Sequence, residues 1–432
     1  MSATLQKNTP AAPDLASALA RPPRGGWVEA ARAAAEARLE QTGLPGRRDE
    51  YWRFTRPDTL TAPEAGTAAL LKDDEAPFFG GTDCLNLVFV DGAFDADASD
   101  KLEGTGLTIE RLADVAATSD HWAQELYGVL EARGQKPVVR PLAAINTARA
   151  TDGLLIRATG KVEKPIAIRY LRRDADADAM LHSVVRVEEG ASLTLLENGP
   201  AAARFNSVLE VDLGDEAAFH HIRTQGRDHE RREATHIFAR LGRESLFKSF
   251  TLSANGALTR NECIIEMTGD DGVAHVAGAA LGDGASGAFH HDDTIFVTHD
   301  ALRCESRQVF KKVLRNGAVG VFQGKILVKA GAQKTDGYQI SQSLLLDEDS
   351  QFLAKPELEI YADDVVCSHG STTGAIDETA LFYLRSRGVE KAEAQDLLVL
   401  SFLAEAIEEI DDADLAANIN DRLAAWLRRR RS

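Results

Sequence analysis

The sequence predicts a mainly β protein whose strand-rich middle lies between helical ends, and three observations predict it. From Pro137 to about Val366 the chain is a series of short runs rich in Val, Ile, Leu, Thr and Phe, separated by Gly, Asn and Asp clusters. A degenerate Gly-Ala turn recurs at Gly190-Ala191, Gly256-Ala257, Gly317-Ala318 and Gly331-Ala332, each followed by a new apolar run. On both sides the code changes to helix start and stop chemistry. The repetition suggests stacked rungs, and a large sandwich also satisfies it.

Taken in order, residues 1–26 carry the Pro-rich Ala20-Arg21-Pro22-Pro23-Arg24-Gly25-Gly26 stretch and read as a flexible arm. Residues 27–136 read as a mixed, partly helical region. Within it, Trp27 to Gln41 is rich in Ala, Glu and Arg and stops at Gly43 and Pro45. A second helix is expected from His121 to Arg133, with Trp122, Leu126, Val129 and Leu130 on one side. The β core spans 137–375, with strands expected around Leu154–Ile156, Ile166–Leu171, Val184–Val187, Leu193–Leu196, Val208–Val211, Ile326–Val328 and Leu344–Leu346.

A C-terminal helical unit, 376–432, follows. Asp377 is its first N-cap, Arg385 and Arg387 lie in the last turn of that helix, and Gly388 is its stop. The next helix, about Glu390 to Ile410, carries Leu397, Leu398, Val399, Leu400, Phe402, Leu403 and Ile407 nearly all round. That coverage exceeds one face and implies a second contact surface, either another protein or the helix's own neighbours.

At 432 residues the chain is long enough for about three domains, unless one elongated architecture absorbs most of it. A net charge of −18 repels phosphate backbones, so nucleic acid is not expected as a partner. The closing Arg428 to Arg431 run fits a solvated helix end. Cys84, Cys263, Cys304 and Cys367 are far apart, which suits a reducing cytoplasm. The first twenty residues lack the apolar core of a signal peptide, and the stretch Leu397 to Ile407 is too short and too polar to span a membrane.

Common catalytic signatures are missing. Gly160-Lys161 and Gly324-Lys325 lack the rest of a phosphate loop, and Gly282 to Gly287 reads as a turn because a strand follows it. His220-His221 and His290-His291, with Asp292 and Asp293, could contribute to a metal site, His291 and Asp293 sharing one strand face. Exposed polar runs at strand ends account for them more simply. His182, His275 and His299 read as ordinary polar packing.

One motif stands apart. Asp363-Asp364-Val365-Val366-Cys367-Ser368-His369-Gly370 lies where the β region gives way to helix. In an extended strand Cys367 and His369 share a side, with Cα atoms about 6.6 Å apart. A thiolate and an imidazole so placed suit a soft or borderline metal such as iron in a sulfide cluster. Two ligands leave such a cluster incomplete, and on the residues alone the simpler reading prevails, with Cys367 a small packed apolar side chain and His369 a turn residue.

The surrounding sequence resembles the SufD family of the Suf iron–sulfur assembly system over nearly the whole chain. The resemblance is carried by Val321-Phe322-Gln323-Gly324-Lys325, by Gly331-Ala332-Gln333-Lys334-Thr335-Asp336-Gly337-Tyr338-Gln339 and by Lys355-Pro356-Glu357-Leu358-Glu359-Ile360-Tyr361-Ala362-Asp363-Asp364. Cys367-Ser368-His369-Gly370 and Leu381 to Gly388 extend it. Asp49-Glu50-Tyr51-Trp52-Arg53-Phe54-Thr55 looks like the family's N-terminal Glu-x-Trp-x-Tyr-Thr element, with Phe54 in place of Tyr.

The resemblance implies a right-handed parallel β-helix core flanked by N-terminal and C-terminal helical regions. It implies a non-catalytic scaffold that pairs with SufB and docks the SufC ATPase, by way of the helices at 376–432. It implies a transient iron–sulfur cluster shared with SufB, with His369 and Cys367 as candidate ligands, and ATP used only through SufC. A flavin in the complex and self-pairing of the isolated chain as a homodimer stay open. The rival class is an exported-type β-helix enzyme, such as a polysaccharide lyase or another metal-dependent sugar-active protein.

Overall fold

The computed structural model describes residues 14–71, 78–226 and 228–429. Half of the expected arm, residues 1–13, and Arg430 and Arg431 of the terminal run lie outside the described residues.

Two ten-stranded sheets face each other, and from Leu154 onward successive strands alternate between them. Each strand therefore pairs in parallel with the strand one full turn earlier. In one sheet Ala218 aligns with Leu246 and Leu246 with Val273; in the other Arg204 aligns with Arg232 and Arg232 with Leu258. The result is a parallel β-solenoid of about 8 turns, with helices at both ends.

The strands form because alternate residues drop into columns between the sheets. Val211, Ala239, Ile265 and Val297 stack in register along one sheet, and Leu193, Phe219, Phe247 and Ala274 along the other. All of these side chains are buried. At one corner the chain turns through a left-handed residue in successive turns, at Glu216, Glu244, Asp271, Arg303 and Lys334. These corners are not glycines, so a search for Gly-Ala turns finds only part of the repeat.

The first strands precede the expected β core. Leu85–Val90 adds in parallel to Ile166–Leu171, and Leu107–Arg111 adds antiparallel to Leu154–Ala158. Short antiparallel partners, Ala93–Phe94 and Glu103–Gly104, close that end of both sheets. The region expected to be mixed and partly helical thus supplies solenoid strands as well. The helix expected from His121 to Arg133 is broken at Gly128, where φ is 69, into a 3-10 turn, Trp122–Glu125, and a helix, Val129–Arg133. Inside the expected β span, Pro141–Arg149 is a fully buried helix that starts on Pro at its first turn.

At the other end the last turn consists of Gln351–Ile360 in one sheet and Val366–Gly374 in the other. Three helices follow: Glu378–Ser386, capped by Asp377, then Lys391–Ile407 and Ala413–Arg429. The second and third lie on the outer face of the Val366–Gly374 sheet. Val399, Leu403, Ile407, Leu415, Ile419 and Leu423 pack there against Leu196, Ile222, Phe250, Val309 and Val313. The surplus apolar surface of Lys391–Ile407 is therefore taken up mainly by its own neighbours. What stays exposed is Leu397, with Phe382 and Tyr383 on the preceding helix.

Candidate functional site

The motif expected to carry the chemistry forms the last strand, Val366–Gly374, which pairs on one side only, with Asp336–Leu345. Alternation sends Val366 outward, 70 % exposed, and turns Cys367 inward against Ile326, Val328 and Leu358. His369, Ser371 and Thr373 share that inward side. Ser371 and Thr373 meet the buried Ser341 and Ser343 through hydroxyl contacts of 3.1 and 3.2 Å. Among the described residues no further turn covers them, so His369 is exposed at the open rim of the solenoid.

Room for the thiol comes from Gly337, directly opposite in register: a Cβ there would stand 3.1 Å from the Cys367 Sγ. Burial pushes the Cys367 thiol above its ordinary value, against a hydrogen bond from the Gly337 backbone. Of the four thiols this one is the most accessible. Cys84 and Cys263 are buried and pushed up to about 11 and about 12 by desolvation, and Cys304 is fully enclosed. Gln339 lies beside His369 in register and donates to Gln308 Oε1 at 2.8 Å, while its own buried amide oxygen has no partner.

Cys367 and His369 are therefore one-sided, as expected, and they remain two. Among the described residues no group of three or more His, Cys, Asp or Glu side chains is arranged to hold a metal ion. A thiol and an imidazole fit iron in a sulfide cluster by donor type, and their number leaves the coordination to be completed from outside the chain.

The histidine pairs are not exposed strand-end runs. His221 and His291 are buried in a polar file inside the solenoid, one strand face carrying Phe219 into the apolar columns and His221 and Arg223 into this file. Glu197 accepts from Arg223 at 3.1 Å and meets His221 at the same distance, while Arg223 also donates to Thr235 at 2.7 Å. Burial alone would raise the Glu197 carboxyl; Arg223 and His221 more than offset it and hold it well below the carboxylate range. Lys312, fully buried, donates to Asp293 at 2.8 Å, to the Val321 carbonyl at 2.6 Å and to His291 Nδ1 at 3.0 Å. His182 and His299 are likewise buried, on Glu210 and Ser306. His220 and His275 face outward, beneath Asp411 and Glu409 of the segment that joins the last two helices. Each of these groups has at least one partner within the chain, as buried polar side chains require, and the Nδ1 atoms of His182 and His299 are left without one among the described residues.

The fold and the rim define a solenoid that presents a thiol and an imidazole at an unpaired end. The chain belongs to the SUF system FeS cluster assembly family: residues 170–402 match its SufBD core domain. It is 27% identical over 407 residues, 90% of each chain, to the iron–sulfur cluster assembly protein SufD of Escherichia coli (strain K12). It is 28% identical over 406 residues, 87% of this chain, to an iron–sulfur cluster assembly SufBD family protein of Synechocystis. It is 27% identical over 289 residues, 64% of each chain, to SufD of Bacillus subtilis (strain 168). No helix among the described residues is long and apolar enough to cross a membrane.

Proposed function

We propose that the chain is a non-enzymatic scaffold subunit of a cytoplasmic Suf complex. It pairs with SufB through the open end of the solenoid and lends His369, with Cys367 beside it, to a transient iron–sulfur cluster that SufB completes. The observation that carries this reading is the rim itself. It combines two strand edges free of partners among the described residues with two soft or borderline donors on the side facing inward. A free strand edge of this length is a template for a strand from another chain. The cluster is cargo, held only while both chains contribute.

The helical unit at 376–432 docks the SufC ATPase in this reading. Phe382 and Tyr383, 73% and 55% exposed, and Leu397 are the large apolar side chains that this unit leaves exposed among the described residues, the Tyr383 ring carrying the Arg387 guanidinium at 4.4 Å. ATP-driven movement of SufC then reshapes the rim through these helices. Copurification of a tagged chain from its host at moderate salt tests the partners directly. Recovery of SufB and SufC together supports the reading, and recovery of the chain alone overturns it.

A further inference from the structure

The element Asp49 to Thr55 has no part in the site described above, yet it is bound across four consecutive strands of one sheet. Thr55 donates to Asp292 and meets His290 Nε2 at 2.9 Å. The Tyr51 carbonyl accepts from Arg260 at 3.0 Å and from Gln323 at 3.1 Å, and the Arg260 guanidinium stands 4.2 Å from the centre of the Trp52 ring. The Tyr51 ring packs edge-on against Phe296 and beneath the Lys355 ammonium, 3.8 Å from the ring centre. Its hydroxyl donates to Glu357 Oε2 at 2.6 Å, and Glu50 pairs with Lys355 at 2.7 Å. Lys355 and Glu357 belong to Gln351–Ile360, the edge strand of that sheet.

That strand needs external support. Val319–Val328, one turn back, is mostly buried, whereas every residue of Gln351–Ile360 is half-buried or exposed and its ladder runs on one side only. The contacts from Tyr51 and Glu50 reach it from more than three hundred positions earlier in the chain. The Glu50 pair, largely exposed, adds little. The hydroxyl of Tyr51 on a carboxylate is a charge-assisted hydrogen bond, and it is the stronger tie.

We propose that Tyr51 and its neighbours splint the free edge strand Gln351–Ile360, so that the N-terminal region sets how firmly a second solenoid adds to that edge. The part concerning the second solenoid rests on the edge-pairing reading above; the splint itself does not. Tyr51 is a positioning residue that acts through Glu357 and Lys355.

Hydrogen exchange followed by mass spectrometry on the full-length chain tests it, with Tyr51→Phe and Tyr51→Ala variants. In Tyr51→Ala the amides of Gln351–Ile360 exchange more than about tenfold faster, because the ring contacts to Phe296 and Lys355 are lost together with the hydrogen bond to a charged group. Tyr51→Phe, which keeps the ring, gives a smaller acceleration, and Arg232–Leu241 is unchanged in both. Unchanged exchange at Gln351–Ile360 overturns the proposal. So does equal acceleration across the whole sheet, which would make Tyr51 a general stabiliser. In a second arm the purified SufB of the same host is added. Wild-type chain gains protection at Gln351–Ile360, and Tyr51→Ala binds more weakly by more than about tenfold, the same free energy being needed to order the strand. Equal affinity overturns the link to pairing. A wild-type complex with no protection at this strand overturns the edge-pairing reading and leaves the first arm to decide the splint.

Discussion

Replacing His369 by Ala separates a ligand role from a structural one, because the structure makes the folding cost small. His369 is exposed, and its side chain has no hydrogen-bond partner among the described residues. A surface substitution of that kind changes stability by at most about 0.5 kcal/mol. For 432 residues, an unfolding entropy of about 2.1 cal/mol/K per residue turns this into a shift in Tm below about 1 °C. The effect on cluster assembly is expected to be far larger. Even residues that only orient metal ligands alter metal affinity about tenfold to a hundredfold, so loss of a ligand reaches at least that scale. Cys367→Ser does less harm to assembly, since burial already disfavours the thiolate, and it costs about 1 kcal/mol of folding through weaker packing against Ile326 and Leu358. The assay is complementation of a SufD-deficient strain under iron limitation, with gel filtration to show an intact complex. Full growth of the His369→Ala strain, with the complex intact, would remove this residue from the mechanism and leave the chain a purely structural partner.

Three other outcomes follow from the same geometry. Phe382→Ser combined with Tyr383→Ala leaves Tm within about 1 °C, because both side chains are exposed, and weakens SufC binding at least about tenfold in a pull-down titration. Deleting everything from Asp377 would be a poorer test, since it uncovers Ile222, Phe250 and Val309 on the solenoid face. Arg223→Met strands the Glu197 carboxylate inside the solenoid and costs about 3–5 kcal/mol in urea unfolding, with partial recovery when Glu197→Gln is added. Burial raises the Glu131 carboxyl, which Arg38 of helix Glu29–Thr42 contacts, from 4.5 to about 7. The folded state therefore holds this proton more tightly than the unfolded state. Its stabilising effect is full below about 4.5 and is lost as pH rises through about 7. Amides of Glu29–Thr42, corrected for intrinsic rate, are better protected at pH 6 than at pH 8, and Glu131→Gln flattens the difference.

The legible parts of the fold were those whose code is local. Asp377 and Gly388 bound a helix as expected, and Ile166–Leu171 is a strand over its full expected length. The mainly β middle and its stacked repetition were equally visible. The number of turns was not, because corners at Glu216, Glu244 and Arg303 adopt a glycine-like conformation without glycine. Leu85–Val90 is not legible as a solenoid strand because its parallel partner, Ile166–Leu171, lies far along the chain. The sequence reads His221 and His291 as surface residues and the structure buries them, because a polar file inside a solenoid inverts the usual link between polarity and exposure. The shared side of Cys367 and His369 is legible because period-two spacing is local; the residues around them, Gly337 and Gln339, come from the preceding turn and need the register. Gln339 belongs to a stretch that carries the family resemblance, with no signal of its role in the sequence.

The most direct test of the shared-site account is anaerobic reconstitution with iron and sulfide, followed by visible absorption and iron content, on the chain alone, on its complex with SufB and SufC, and on the complex carrying His369→Ala. The account predicts no stable cluster on the isolated chain, a cluster on the wild-type complex, and a strongly reduced yield with the variant. A stable cluster on the isolated chain, or an undiminished one on the variant complex, would contradict it.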